Sequence, residues 1–147
     1  MNQTTQKDHL YLNATSYFLR ALYESKRIEE LQVLNMSGWS EARFDSSGSL
    51  YTDDPASYQD WQNGMNQLLG KDDLKGNEAL LYFEVMRCYI REWFLRGKRY
   101  EVYLRDIPSW TEFSKDYKGQ TTVKTVNPDM WPLWLESVPK ATHCIES

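Results

Sequence analysis

The chain has 147 residues, which is the size of one ordinary domain. Hydrophobic residues make up 41% and aromatic residues 14%, so the chain can bury a core and does not have a disordered composition. Its formal net charge is −4, an acidic balance that repels nucleic acid and anionic membranes at long range and suits a cationic partner. The alternative is that this modest acidic charge only keeps the protein soluble and does not indicate a partner.

The cellular location is predicted from what the sequence lacks. The first nine residues are polar and contain no apolar segment of the kind that signal peptides carry. No stretch approaches the roughly 18 apolar residues of a membrane-spanning helix. The two cysteines, Cys88 and Cys144, are too few for a disulfide framework. We therefore expect a reduced, cytoplasmic protein that does not bind a membrane.

Two helices and a turn are predicted at the start of the chain. Apolar residues recur at steps of three and four over 7–27, which predicts the first helix. A shorter helix is expected over 28–35, before Gly38. The turn cluster Asp45-Ser46-Ser47-Gly48 then predicts a loop or a small hairpin over 42–51.

The residues Asp53-Asp54-Pro55 have the pattern of a helix start. Asp54 can cap the helix, and Pro55 fits the first helical position, where its missing N–H has no partner to lose. The helix is expected to continue to Gly70. Gly64 weakens its middle by about 1 kcal/mol relative to alanine.

The second half begins with the strongest helical pattern. A wide apolar stripe over 77–96 predicts the most buried helix of the protein. A short helix or turn is expected over 98–106, ended by Pro108. The polar stretch 111–126 is followed by a last helix that is expected to run from Asn127 to Pro139.

The two halves repeat their landmark residues. The pattern [Asp/Asn]-Pro-x-x-aromatic-x-x-Trp occurs at 54–61 and again at 127–134, an offset of 73 positions. The capping residue and the proline start a helix, and the tryptophan of each copy is expected to pack into the core. Likewise, Trp39-Ser40-Glu41 recurs as Trp110-Thr111-Glu112, an offset of 71 positions. We predict a mainly all-α single domain over 1–147, built from two degenerate units at about 7–73 and 77–140, each with a small hairpin or an extended loop. The alternative to a duplication is that two unrelated helical stretches share the residues that commonly cap and start helices.

No catalytic constellation is apparent in the sequence. His9 and His143 lie near opposite ends, no serine has a Gly-x-Ser-x-Gly context, and no glycine-rich loop is suited to phosphates. His143 and Cys144 alone are too few to ligate a metal ion. We expect no enzymatic activity, no cofactor and no metal. An enzyme with a carboxylate-based site remains the alternative, recognisable by a deep pocket with converging carboxylates.

Acidic residues are concentrated in one segment. Residues 53–73 contain five aspartates and a single lysine, and the aspartates are Asp53, Asp54, Asp60, Asp72 and Asp73. We predict that these carboxylates contact a basic partner surface, with Tyr51 and Tyr58 as aromatic anchors. The plain alternative is a helix N-terminus at 53–54 and a solvated connection at 72–73.

Basic residues with interleaved tyrosine and tryptophan lie in the second half of the strongest helix and just after it. They are Arg87, Arg91, Arg96, Lys98, Arg99 and Arg105. A nucleic-acid groove can have this composition. Ion pairs within and between helices are the favoured interpretation, because the net charge is acidic. We expect no nucleic-acid partner.

The first half resembles a known family. Tyr17-Phe18-Leu19 on the first helix and Glu29-Glu30-Leu31 with Leu34 precede the block Asp54-Pro55-Ala56-x-Tyr58-x-Asp60-Trp61. Together they resemble small helical immunity proteins of bacterial contact-dependent inhibition and type VI secretion systems. The resemblance covers about residues 10–70. The second half departs from it, since Asn127 replaces the aspartate.

The resemblance implies a non-enzymatic protein that binds a cognate toxin domain tightly. Such a protein blocks the active site or the substrate groove of the toxin. An acidic inhibitor suits a toxin with a basic surface, such as a nuclease, because complementary fields speed the encounter. The alternative is another non-enzymatic interaction protein, with an accessory or regulatory role in a different bacterial system.

Overall fold

A computed structural model describes residues 3–68, 77–96, 102–115 and 123–146. Within these ranges the protein is mainly helical, with two small antiparallel hairpins, which confirms the predicted fold class. The elements are α1 (Gln3–Glu24), α2 (Gln32–Trp39), β1 (Ala42–Phe44), β2 (Leu50–Thr52), α3 (Pro55–Leu68), α4 (Glu78–Leu95), α5 (Val102–Trp110), β3 (Phe113–Lys115), β4 (Val123–Thr125) and α6 (Met130–Glu146). Among the helices in these ranges, none combines the length and apolar character that crossing a bilayer requires.

The order of elements is the same in both halves: two helices, a hairpin and a further helix. The third helix of each half packs on the other half, because α3 lies mainly against α4 and α6 lies mainly against α1. The halves therefore interlock around one core. This arrangement is what two copies of one unit, related by an approximate two-fold axis, would give.

Aromatic contacts in the core repeat between the halves, at the offsets of 71 and 73 positions found in the sequence. Trp61 of α3 meets Tyr89 of α4 edge-on, with ring centroids 5.7 Å apart. Trp134 of α6 meets Phe18 of α1 edge-on at 6.0 Å. Phe18 and Tyr89 lie 71 positions apart, so the two tryptophans pack on equivalent positions of α1 and α4. The repeated tryptophans are core residues, as their motif predicted.

Helix α1 ends earlier, and α2 begins later, than the sequence pattern predicted. The N–H of Lys26 donates to the carbonyl of Tyr23, and the N–H of Arg27 donates to that of Leu22. These bonds form a Schellman ending, in which Lys26 adopts a left-handed φ of 63°. The reversal ends α1 at Glu24 and delays α2.

Two prolines that were predicted to end helices lie inside them. Pro108 lies within α5, and Pro139 lies within α6. Each proline removes one backbone hydrogen-bond donor from its helix. The residues that follow each proline nevertheless stay helical, because they are held by hydrogen bonds or by burial. After Pro108, the N–H of Thr111 still bonds to Ile107, and after Pro139 the side chain of Ala141 is fully buried.

The predicted starts of α3 and α4 and the predicted turn after β1 are confirmed, whereas the last helix begins at Met130 and not at Asn127. The turn cluster joins β1 to β2, and α3 begins at Pro55, with Asp54 Oδ1 accepting the N–H of Ala56 at 3.0 Å. Helix α4 is capped by the side chain of Asn77, which accepts the N–H of Leu80. Ten of its residues are buried, in accordance with its wide apolar stripe.

Candidate functional site

The first hairpin presents an aromatic residue and a cation side by side. Strands β1 and β2 pair so that Arg43 lies opposite Tyr51. The neighbouring pair, Ala42 and Thr52, is buried. Because side chains alternate along a strand, Arg43 and Tyr51 both point away from the core. Tyr51 is 40% exposed, which is high for a side chain of this size.

Side chains of α1 hold the hairpin in place. Asn13 donates to the carbonyl of Ala42 at 3.2 Å and accepts its N–H at 3.0 Å. The amide thereby pairs with the outer edge of β1, as a neighbouring strand would. The ring of His9 packs against that of Phe44, with centroids 4.5 Å apart. Burial at this contact lowers the pKa of His9.

The tip of the hairpin is ordered by one carboxylate. Asp45 Oδ1 accepts the backbone N–H of Ser47 and of Ser49, each at 2.9 Å. It also accepts the hydroxyl of Ser47. These bonds lower the pKa of Asp45, with that from the Ser47 hydroxyl contributing most. The tip is thus a preorganised turn, which reduces the entropy that binding would cost.

Charged side chains lie next to Tyr51 in the hairpin and in the residues that flank it. Glu41 accepts from Arg20 at 3.3 Å through one oxygen and from Arg43 at 3.1 Å through the other. Arg43 also lies 3.8 Å from Asp53, which raises the pKa of its guanidinium. Exposed pairs of this kind add little stability. We call the surface of Glu41, Arg43, Tyr51 and Asp53 the hairpin face.

A shallow cleft of about 170 Å³ adjoins the hairpin face. It runs along Asn13, Tyr17 and Arg20 of α1 and is bounded by Glu41 and Arg43. The guanidinium of Arg20 lies over the ring of Tyr17, 5.5 Å from its centroid. The cleft therefore extends the surface from the hairpin onto α1.

The second hairpin does not reproduce this chemistry. Its outward pair is Ser114 opposite Lys124. Val126 occupies the position equivalent to Asp53 and is 65% exposed. The two hairpins share a scaffold, but their described surfaces differ in charge and in aromatic character.

The predicted acidic residues have different roles. Asp53 is exposed and belongs to the hairpin face. Asp54 is half-buried and caps α3 through its contact with Ala56, which agrees with the plain alternative. Asp72 and Asp73 lie outside the described residues, so their predicted contact with a partner stays a prediction.

Asp60 requires a correction, because it is an internal residue of the fold. Its side chain is 2% exposed and accepts a hydrogen bond from Arg96 at the end of α4. Burial raises the pKa of Asp60 to about 6, although the positive charge of Arg96 acts to lower it. A buried carboxylate joined to its own arginine cannot form the predicted surface contact. Its role here is to join α3 to α4.

Tyr58 is half-buried and contacts α1, and its predicted role as an anchor stays a prediction. Its hydroxyl donates to Asp8 Oδ2 at 3.4 Å, and the indole N–H of Trp61 donates to Asp8 Oδ1 at 3.0 Å. Burial raises the pKa of Asp8, although both hydrogen bonds favour its charged form. Asp8 thus ties α3 to α1 and keeps Tyr58 in the scaffold.

Two members of the basic run, Arg87 and Arg96, form ion pairs with other residues of the helices, whereas Arg91 and Arg105 are exposed. Arg87 is 8% exposed and donates to Glu84, Thr111 and the carbonyl of Pro108. Arg96 donates to Asp60. The ion pairs of Arg87 and Arg96 agree with the interpretation that the acidic net charge favoured.

Sequence reasoning missed Arg43 and Glu41. The signal was present, since Arg43 and Tyr51 flank the turn cluster at positions that a hairpin register places opposite each other. In the described part of the chain, no three His, Cys, Asp or Glu side chains come close enough to hold a metal ion. Comparison with protein families, with curated proteins and with solved structures finds no match for this chain.

Proposed function

We propose that this protein is an immunity protein that binds and neutralises a cognate bacterial toxin domain through the hairpin face. Its binding covers the active site or the substrate groove of the toxin. The observation that carries the proposal is the rigid outward pair of Tyr51 and Arg43, bordered by Glu41 and Asp53. Tyrosine and arginine are among the residues that dominate binding energy at protein interfaces.

The proposal of a basic partner rests on the net charge of −4 of the whole chain. At the hairpin face itself, Arg20 and Arg43 balance the carboxylates of Glu41 and Asp53. An inhibitor must capture its toxin quickly, and opposite fields raise association rates. A toxin domain with a basic surface, such as a nuclease, is therefore the partner that we propose.

The residues of the family resemblance have structural roles in this protein. Asp54 caps α3, Trp61 is buried, and Asp60 bonds to Arg96. This block builds the scaffold that positions the hairpin. We infer that the shared residues preserve the fold, while the exposed residues of the hairpin face select the toxin.

The test is a calorimetric titration of the full chain with the toxin domain encoded beside it. We expect the double variant Arg43→Ala/Tyr51→Ala to weaken binding at least tenfold, which corresponds to about 1.4 kcal/mol. The matched control is Ser114→Ala/Lys124→Ala on the second hairpin, which should bind as the wild type does. Equal affinities of the wild type and the first variant would overturn the assignment of the hairpin face. Absence of binding by the wild type would overturn the proposed function.

A further inference from the structure

Polar groups are buried together where α2, α3 and α4 meet beside the ends of the first hairpin. Ser40 caps the end of α2 just before β1, and Ser57 lies in the first turn of α3, just after β2. The hydroxyl of Tyr89, on α4, lies 2.8 Å from that of Ser40. All three side chains are fully buried, and Trp93, one turn further along α4, is 6% exposed. The cluster thus includes residues that flank the hairpin on both sides.

Two groups of this cluster have no hydrogen-bond partner in the described part of the chain. They are the hydroxyl of Ser57 and the indole N–H of Trp93. Burial raises the pKa of Tyr89 to about 12, and the nearness of Ser57 and Trp93 to its oxygen acts against this rise. Both donors therefore converge on the Tyr89 oxygen without completing a hydrogen bond to it. Buried polar groups rarely stay unpaired, because the loss of hydration without a replacement costs free energy.

The hydrogen bonds of Ser40 leave the Tyr89 oxygen able to accept. The hydroxyl of Ser40 donates its single proton to the carbonyl of Met36 at 2.8 Å. The contact between Ser40 and Tyr89 therefore requires Tyr89 to donate. The oxygen of Tyr89 keeps its acceptor capacity, while Ser57 and Trp93 each have a proton to donate. A molecule that accepts two protons and donates one would pair all three groups.

The matched interface of the second half is apolar at these positions. The residues that the offsets of 73 and 71 positions align with Ser57, Tyr89 and Trp93 are Met130, Phe18 and Leu22. All three are fully buried. The shared scaffold thus packs with apolar side chains at these positions, and packing alone does not call for polar ones. The polar groups occur in the half whose hairpin carries the hairpin face.

We propose that one buried water molecule binds between Ser57, Trp93 and Tyr89 and joins the ends of the first hairpin to α4. The water accepts from the hydroxyl of Ser57 and from the indole of Trp93, and it donates to the oxygen of Tyr89. Three hydrogen bonds are typical of a buried water. The bond from Tyr89 to Ser40 extends this chain to the residue that precedes Glu41. The water thereby holds the hairpin face in position, whichever partner that face binds.

A high-resolution crystal structure of the full chain tests the site directly. We expect one ordered water whose oxygen lies about 2.9 Å from Trp93 Nε1, Ser57 Oγ and Tyr89 Oη. The variant Ser57→Met carries the residue of the matched position, and its side chain should displace the water. Direct hydrogen bonds from Ser57 and Trp93 to Tyr89, with no water between them, would overturn the proposal.

Amide hydrogen exchange tests the joining role in solution. Ser57→Ala removes the bond between the water and α3, so exchange at residues 42–52 should become about fivefold faster or more. The matched control is Ser137→Ala on α6, which removes a buried hydroxyl that donates within its own helix, to the carbonyl of Leu133. The control should exchange at the hairpin as the wild type does. Wild-type exchange in Ser57→Ala, or equal acceleration in both variants, would refute the joining role.

Discussion

Tyr11 of α1 and Tyr82 of α4 stack with ring centroids 3.9 Å apart and ring planes 5° from parallel. They lie 71 positions apart, so they occupy the same position in the two predicted units. Equivalent residues touch only close to the axis that relates their units. The indole of Trp134 donates to the carbonyl of Ala79, as that of Trp61 donates to Asp8, and Asp8 and Ala79 lie 71 positions apart as well. These matched contacts support a duplicated architecture.

The Tyr11–Tyr82 stack should couple the two halves energetically. In a double-mutant cycle of Tyr11→Leu and Tyr82→Leu, we expect a coupling free energy of about 1 kcal/mol, because stacked rings contribute beyond their buried area. Chemical denaturation of the four proteins measures it. Pairing Tyr11→Leu with Arg105→Ala on the exposed side of α5 should give additive effects. Additivity of the two tyrosine changes would show that the stack does not stabilise the fold.

Gly64 allows α3 and α4 to approach closely. A Cβ at this position would lie 3.3 Å from both the Cβ of Cys88 and the carbonyl oxygen of Val85, and neither atom can rotate away. We expect Gly64→Ala to lower the free energy of unfolding by about 1–2 kcal/mol, despite its better helix propensity.

The control for Gly64 is Gly38, a helical glycine whose added Cβ meets nothing within 4 Å. Gly38→Ala should raise the free energy of unfolding by up to about 1 kcal/mol. Urea denaturation of both variants gives the comparison. A stabilising Gly64→Ala would mean that the two helices do not pack at the described distance.

Lys26 holds a backbone conformation that favours glycine. Because a left-handed φ strains residues that carry a Cβ, Lys26→Gly should raise the free energy of unfolding by about 1 kcal/mol. Lys26→Ala keeps the strain and should leave stability nearly unchanged. Gly48, with a φ of 86° at the tip of the first hairpin, provides the reverse test, since Gly48→Ala should destabilise. If thermal denaturation shows equal effects of glycine and alanine at position 26, the strain is absent.

Asp60 should make stability depend on pH. Its pKa rises from 3.8 to about 6 in the folded protein because burial penalises the charged form. The folded state binds this proton more tightly than the unfolded chain, so the stabilisation is complete below about pH 4 and is lost as pH rises through about 6. Relative to Asp60→Asn, the wild type should lose on the order of 2 kcal/mol between pH 4 and 7.

Asp45 is the matched control, because hydrogen bonds from Ser47 lower its pKa. Its contribution should be lost as pH falls, which is the opposite trend. Denaturant titrations at a series of pH values measure both. A constant difference between Asp60→Asn and the wild type across this range would refute the raised pKa.

Local signals in the sequence predicted the features that depend on nearby residues. The cap at Asp54, the helix start at Pro55 and the hairpin at 42–52 each follow from a few adjacent side chains. The spacing of the repeated tryptophans predicted core positions for the same reason. The structure confirms both the core positions of Trp61 and Trp134 and the mainly helical fold class.

Features that depend on distant residues were not predictable. Asp60 lies 36 positions from Arg96, so only the packing of α3 on α4 reveals the ion pair and removes Asp60 from the surface. The Schellman ending at Lys26 has no glycine to mark it, so the sequence pattern predicts too early a start for α2. Pro108 and Pro139 predict helix ends by local rules, because the packing that sustains α5 and α6 is tertiary.

Protection of growing cells against the toxin tests the proposed function most directly. A candidate toxin domain, taken from a gene adjacent to that of this chain, is induced in cells that also express the wild-type chain, the Arg43→Ala/Tyr51→Ala variant or the Ser114→Ala/Lys124→Ala control, with equal protein levels checked by immunoblot. We predict full growth with the wild type and the control, and strongly reduced growth with the hairpin-face variant. Growth arrest in the presence of the wild-type chain, or equal protection by all three proteins, would contradict neutralisation through the hairpin face.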